Sequence, residues 1–134
     1  VEYRLVGYLD SSATSNYSSR AANAALCVAE ESPEQYIPFV AQMFAAYTGQ
    51  GISDDELKSM ASGLGADIGG CVDGNTYRPF VKYTTAKAQE AQIPGTPSVW
   101  VQGQRWDGTA DPDFQAWAES LMSDGAEDGE EAEG

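Results

Sequence analysis

The sequence predicts an α/β protein in which helices predominate over a small sheet, and three patterns lead to that prediction. Apolar and polar residues alternate over residues 1–9, which favours a strand buried on at least one face. Several stretches between residues 19 and 93 carry apolar residues at helical spacing. The β-favouring run at residues 99–101 is followed by Gln102-Gly103, which should turn the chain into a return strand at Arg105-Trp106.

Helix signals divide the middle of the chain. Ser32 and Ser53 stand at N-cap positions, and Ser53 is followed three residues later by Glu56, as in a capping box. Pro38 should kink or restart the helix that contains it, and Gly65 should end the next one. The apolar spacing therefore predicts four helices, at about residues 19–29, 32–48, 53–64 and 75–93.

The end of the chain predicts one more helix and then a tail. Asp111-Pro112 is expected to cap a helix whose inward face carries Phe114, Trp117 and Leu121. Residues 123–134 hold six of the 21 acidic residues and no basic residue, which predicts a disordered, solvated acidic tail. We therefore expect a single domain over residues 1–122, followed by this tail.

Composition and charge exclude several classes of function. The chain has 134 residues, of which 42% are hydrophobic, and it has no apolar run long enough to span a membrane. Its net charge of −14 argues against nucleic acid and anionic membrane surfaces as partners. Because the sequence contains no histidine, hydrolase mechanisms that need histidine are excluded. No metal site and no cofactor are predicted.

The two cysteines, Cys27 and Cys71, leave three interpretations open. They are two buried free thiols in a reducing compartment, one structural disulfide in an exported protein, or a pair that includes one reactive thiol. The third has no support, because no cluster of Lys or Arg near either cysteine would lower a thiol pKa. The two residues are too far apart in sequence to form a Cys-x-x-Cys motif with each other.

A loop with two prolines joins the fourth helix to the β run. Taken alone, it is consistent with an ordinary helix-to-strand connection in which Pro97 stands at the start of a strand, where its missing N–H is tolerated. However, Gly95-Thr96-Pro97-Ser98-Val99 followed by Gln102-Gly103 resembles the cis-proline loop and terminal hairpin of thioredoxin-fold proteins. Within that fold, the chain resembles the DsbA-like thiol:disulfide oxidoreductases, especially the bacterial branch with a helical insertion.

The resemblance implies an α/β, thioredoxin-like (DsbA-like) fold with an inserted helical subdomain at about residues 16–75. It covers residues 1–122 and implies that the fold is incomplete at its N-terminus. In the family, a βα unit with the catalytic Cys-x-x-Cys precedes the strand that residues 1–9 would match, and this sequence contains no such motif. We therefore expect the catalytic pair upstream, no catalytic residue in this chain, and no activity from this chain alone.

The resemblance also implies a function and its site. The chain is expected to be part of an exported enzyme that catalyses disulfide formation or exchange in protein substrates, with substrate peptide bound at Gly95, Thr96 and Pro97. The resemblance favours a structural disulfide between Cys27 and Cys71, because some exported members of the family carry an extra disulfide in the helical insertion. The alternative functions are a redox-inactive thioredoxin-like module that binds peptides or proteins, and a relative in the same superfamily that works on glutathione conjugates, which would also need an N-terminal segment.

Partners and location follow from the same resemblance. The expected partners are proteins or peptides that contain cysteine, together with a redox partner protein that recycles the active site; nucleic acid is not expected. The expected location is outside the cytoplasm of a bacterial-type cell, in the periplasm or cell envelope or secreted. The resemblance is compatible with a membrane anchor outside this chain.

Overall fold

The computed structural model describes the backbone of residues 1–133 and the side chains of residues 1–123. Residue contacts divide the chain into two compact units, the helical unit Val1–Gln92 and the hairpin unit Ile93–Gly134. The expectation of a single domain over residues 1–122 stays a prediction. None of the described helices combines the length and the apolar character that a membrane crossing needs.

The helical unit contains the four predicted helices and one short helix that was not predicted. Residues Pro33–Gln35 form a 3-10 turn, and a new helix starts at Tyr36, as Pro38 had suggested. Pro38 is tolerated because it lies in the first turn, where backbone N–H groups have no partner within the helix. The five helices are α1 (Tyr17–Glu31), α2 (Tyr36–Ala46), α3 (Asp54–Gly63), α4 (Gly69–Asp73) and α5 (Arg78–Glu90).

The core of this unit is built around α1, which packs against the other four helices. Small residues let these helices approach closely: Ala24 and Ala25 are buried on α1, and Ala61 is buried on α3. The largest fully buried side chains belong to Phe39, Leu57, Ile68, Val28, Val81 and Cys27. Burying each of the large aliphatic or aromatic side chains contributes about 1.5–3 kcal/mol of hydrophobic free energy.

Two polar interactions fix helix ends in this unit. The Ser53 side chain accepts a hydrogen bond from the Glu56 N–H, which confirms the predicted cap of α3. Asn23 is buried on α1, and its Oδ1 accepts a hydrogen bond of 2.8 Å from the Tyr77 N–H just before α5. Interaction with the Glu30 carboxylate raises the pKa of Tyr77, and burial adds to the effect.

The strand predicted over residues 1–9 is not formed, and this prediction was wrong. A strand needs a neighbouring strand to pair with, and the two-stranded sheet of the described residues does not include this segment. Hydroxyl side chains bond its backbone instead. Thr84 donates to the Leu5 carbonyl (2.7 Å), and the Gly7 N–H donates to Thr85 Oγ1 (2.8 Å). The segment with the alternating pattern is therefore held by side-chain hydrogen bonds and forms no strand.

The hairpin unit begins with the proline loop and continues into the predicted hairpin. Strand β1 (Trp100–Val101) pairs antiparallel with β2 (Gln104–Arg105), so that Trp100 lies opposite Arg105. Gln102 and Gly103 both have positive φ, at 52° and 78°, as the favoured two-residue hairpin turn requires. The hairpin prediction is therefore confirmed.

Helix α6 (Phe114–Glu133) differs from its prediction at both ends. Its cap is Asp113, whose Oδ1 accepts from the Ala116 N–H (3.0 Å), and not Asp111. Asp111 is engaged in the preceding turn, where its N–H donates to the Asp107 carbonyl and its own carbonyl accepts from the Trp106 indole. The backbone is helical through Glu133, beyond the predicted end near residue 122. Four Glu and two Ala in residues 123–133 are good helix formers, whereas the two Gly there are poor ones.

Candidate functional site

The candidate site is the loop that precedes β1 in the hairpin unit. The Thr96–Pro97 peptide bond is cis. Ser98 Oγ donates a hydrogen bond of 2.6 Å to the Gly95 carbonyl, so one side chain ties the two ends of the loop together. Gly95 and Ser98 are half-buried, whereas Thr96 and Pro97 between them are exposed. The three residues predicted to bind substrate therefore form one continuous turn, which is exposed at Thr96 and Pro97.

The backbone of this turn has unused hydrogen-bonding groups. The Trp106 N–H donates to the Val99 carbonyl (2.8 Å), which extends the hairpin ladder one residue beyond β1. The ladder stops there: within the described residues, neither the N–H nor the C=O of Thr96 makes a hydrogen bond. An exposed donor and acceptor at the start of a strand are the groups that an extended peptide pairs with when it adds to a sheet edge.

Aromatic side chains form the apolar surface of the same unit. Trp100 is 46% exposed, and the Arg105 guanidinium lies 5.9 Å from the centre of its ring. Trp106 packs edge-on against Phe114 at 5.1 Å, and Phe114 contacts Trp117 at 5.9 Å. The Trp100–Arg105 contact was not predicted from the sequence. The two-residue turn could have revealed it, because that turn places these two residues opposite each other.

The two cysteines form a disulfide in the helical unit, as the resemblance implied. Cys27 and Cys71 are bonded, with an S–S distance of 2.07 Å and a Cα–Cα distance of 5.9 Å, and they tie α1 to α4. Cys27 is buried in the core and Cys71 is half-buried. These are the only two cysteines in the sequence, so in this state the chain carries no free thiol.

Two charged side chains of the helical unit have structural partners. Lys58 is paired with Asp73, two residues after Cys71, and this hydrogen bond raises the pKa of Lys58. Arg20 contacts Asp54 at 3.0 Å and also donates to the Ile52 carbonyl, which joins α1 to the start of α3. Among the described residues, no group of three His, Cys, Asp or Glu side chains is placed to hold a metal ion.

Comparison with known proteins identifies the family to which this chain belongs. A family model described as the DSBA-like thioredoxin domain matches residues 2–118. The chain belongs to the DSBA-like thioredoxin domain family. Its fold is accordingly the DsbA-like thioredoxin fold, rich in helices, with a small sheet and a helical insertion. The predicted fold class and family are thereby confirmed.

Two solved structures of a DsbA protein are similar to this chain in sequence and in fold. The reduced DsbA of Mycobacterium tuberculosis is 31% identical with a TM-score of 0.61, and the oxidised form is 31% identical with a TM-score of 0.62. Each match covers 77% of this chain and 55% of the DsbA chain. The chain therefore spans little more than half the length of the DsbA structures that it resembles. No protein with a curated description matches it at a significant level.

Proposed function

We propose that this chain is part of a thiol:disulfide oxidoreductase that forms or exchanges disulfides in protein substrates. The observation that carries the proposal is membership of the DSBA-like family over residues 2–118. Both cysteines of the chain are joined to each other, and the sequence has no Cys-x-x-Cys. The proposal therefore places the catalytic pair in a segment upstream of residue 1.

The chemistry proposed for that pair is thiol–disulfide exchange. In the oxidising direction, a substrate thiolate attacks one sulfur of the catalytic disulfide, a mixed disulfide forms, and the other catalytic cysteine leaves as a thiolate. A second substrate thiolate then attacks the mixed disulfide and releases a substrate disulfide and the reduced pair. The two electrons taken from the substrate pass to a redox partner protein that restores the catalytic disulfide. That partner determines whether the enzyme oxidises or reduces its substrates in the cell.

The role proposed for this chain is to hold the substrate during exchange. Thr96 would pair its free N–H and C=O with the backbone of an extended substrate peptide, and Gly95 and Pro97 would shape the turn that presents those groups. Backbone pairing is insensitive to the substrate's side chains, which suits an enzyme that acts on many proteins with cysteines.

The proposed location is outside the cytoplasm, in a bacterial-type periplasm or cell envelope or secreted. The Cys27–Cys71 disulfide supports this location, because structural disulfides persist mainly in oxidising compartments. The proposal is compatible with a membrane anchor in a part of the protein outside this chain.

A peptide titration tests the substrate loop. Thr96→Arg keeps the backbone N–H and C=O of the turn but places a long side chain beside them. This side chain should obstruct an extended, uncharged peptide and prevent one or two of the hydrogen bonds, which corresponds to a loss of affinity of about tenfold or more. The matched control is Thr109→Arg, since Thr109 is also exposed in the hairpin unit but lies outside the loop. Equal affinities for the two variants, measured by calorimetry, would remove the loop from the binding site.

A redox assay separates the enzyme from the alternative function. The gene product that includes the upstream segment should reduce insulin disulfides, and changing either cysteine of an upstream Cys-x-x-Cys to serine should abolish this activity. The Cys27→Ser/Cys71→Ser variant should keep it. An upstream segment without Cys-x-x-Cys, or activity that survives both upstream changes, would overturn the enzyme proposal. The first of these results would favour the redox-inactive peptide-binding module, which the absence of a free thiol in this chain supports.

A further inference from the structure

Helix α5 presents three different faces, since successive residues are rotated by about 100°. Val81 and Ala88 are buried on the core face. Phe80, Tyr83 and Lys87 share an exposed face, where the Phe80 and Tyr83 rings lie 6.5 Å apart and the Lys87 ammonium lies 5.7 Å from the Tyr83 ring. The third face, which we call the basic face, carries Arg78, Lys82, Thr85 and Gln89.

The charges of the basic face have no partner within the described part of the chain. Four of the seven basic residues are in ion pairs with carboxylates: Arg4, Arg20, Lys58 and Lys87. Arg78 and Lys82 are in none of these pairs, although the chain has three times as many acidic residues as basic ones. Two adjacent cations are thus left available in a chain whose net charge is −14.

The position of these cations on α5 is not explained by helix stability. The positive end of a helix dipole lies at its N-terminus and favours acidic residues there. Helix α3 follows this rule, with Asp54, Asp55 and Glu56 in its first turn. Helix α5 has no acidic residue in its first turn, and it begins with Arg78. Both Arg78 and the dipole therefore add positive potential at the same end of the helix, without a gain in stability.

The basic face forms one wall of a groove of about 870 Å³. The rest of the lining includes Gly7, Asp10, Ser19 and Asn75. Asp10 brings a negative charge, but its two carboxylate oxygens already accept hydrogen bonds from the N–H and the hydroxyl of Ser19. These donors are uncharged, so Asp10 keeps its negative charge, and the groove lining carries two positive charges against one negative charge.

We propose that this groove binds acidic peptide segments. Arg78 and Lys82 are one helical turn apart, so they can engage two carboxylates of one extended peptide, and Arg78 can bind its carboxylate with two parallel hydrogen bonds. Gln89 continues the same face with an uncharged hydrogen-bonding group, whereas the Thr85 hydroxyl already accepts from the Gly7 N–H and donates to the Val81 carbonyl. The groove is much larger than a single phosphate or sulfate ion, and its cations are spaced along the helix, which favours a peptide over a small anion. This site is independent of the redox chemistry proposed above.

The electrostatic attraction of an acidic peptide should act only close to the groove, because the net charge of the chain repels acidic ligands at longer distances. At physiological ionic strength, charges farther apart than about 8 Å are largely screened, so the local cations dominate once the peptide is in the groove. We therefore expect the affinity to fall as salt is raised. A peptide of the same length with Gln in place of Glu should bind much more weakly.

The test is fluorescence anisotropy with a short, labelled, cysteine-free peptide of alternating Glu and Ser, added to the full chain. Lys82→Glu should weaken binding by about tenfold or more, the loss of one charge-assisted contact. The matched control is Lys87→Glu, which makes the same change in net charge on the opposite face of the same helix. It should change the affinity by less than about twofold, since its distance from the groove leaves only screened repulsion.

Several outcomes would overturn the proposal. Equal losses in Lys82→Glu and Lys87→Glu would mean a response to net charge and no groove site. Equal binding of the Gln peptide, or no binding of the Glu peptide to the unmodified chain, would also reject it. Displacement of the peptide by an equal concentration of inorganic phosphate would indicate a small-anion site instead. Thr96→Arg should leave this binding unchanged, so failure here and failure of the substrate loop can be told apart.

Discussion

The helical unit and the hairpin unit bury their side chains to very different extents. In the helical unit, Val28, Phe39 and Leu57 are completely buried, and the disulfide between Cys27 and Cys71 links α1 covalently to α4. Among the described side chains of the hairpin unit, none is fully buried, and Phe114 remains 40% exposed. Stability is therefore concentrated in the helices, whereas the candidate substrate loop belongs to the part with the weaker packing.

Removal of an aromatic ring should give the largest difference in the free energy of unfolding between the two units. Phe39→Ala should lower the free energy of unfolding by about 3–5 kcal/mol, because it leaves a cavity in a closed core. Phe114→Ala removes the same ring from a site that solvent already reaches, and it should cost about 1 kcal/mol, in line with the reduced area returned to water. Urea unfolding followed by circular dichroism measures both. Equal costs would contradict the contrast in packing.

Removing the bridge should give the next largest effect, and only in the helical unit. Cys27→Ala/Cys71→Ala releases a loop whose ends are 44 positions apart, so the free energy of unfolding should fall by at most about 4 kcal/mol on the loop-entropy argument. Hydrogen exchange should accelerate in α1 and α4 and stay unchanged in β1 and β2. A uniform acceleration over both units would show that the bridge also supports the hairpin unit.

A smaller change tests the polar contact inside the core. Asn23→Ala removes the acceptor of the Tyr77 N–H and should cost about 1–3 kcal/mol, because a buried donor is left without a partner. The control is Gln42→Ala on the exposed side of α2, which should change stability by no more than about 0.5 kcal/mol. Faster exchange of the Tyr77 amide in the Asn23 variant alone would locate the effect. Identical stability of the two variants would contradict it.

The elements that the sequence predicted well are those specified by nearby residues. The cap at Ser53 and the turn at Gln102-Gly103 depend on a few adjacent positions, and both are found as predicted. Residues 1–9 show the converse. Their alternation predicts an extended backbone, but a strand also needs a partner, and no pattern within the segment specifies one. The sequence predicts Asp111 as the cap of α6, because the competing hydrogen bonds of its own backbone cannot be inferred from the sequence.

The candidate sites also differ in how far nearby residues in the sequence specify them. The Gly95–Thr96–Pro97 loop was found through its family resemblance, since two prolines alone do not distinguish it from an ordinary connection. The pairing of Cys27 with Cys71 likewise came from the resemblance, because spacing alone left three possibilities. The basic face of α5 was missed, although Arg78 and Lys82 stand four residues apart on a predicted helix. What the sequence could not supply is which cations lack a carboxylate partner, since that depends on contacts between distant residues.

The distribution of aromatic residues makes the two units spectroscopically separable. All seven tyrosines lie in the helical unit, at positions up to Tyr83, and all three tryptophans, from Trp100 to Trp117, lie in the hairpin unit. Selective excitation of tryptophan therefore follows the hairpin unit alone, whereas far-ultraviolet circular dichroism is weighted towards the five helices of the other unit. Superposed melting curves from these two probes would mean that the chain unfolds as one cooperative system. Separated curves would assign a melting temperature to each unit without any substitution.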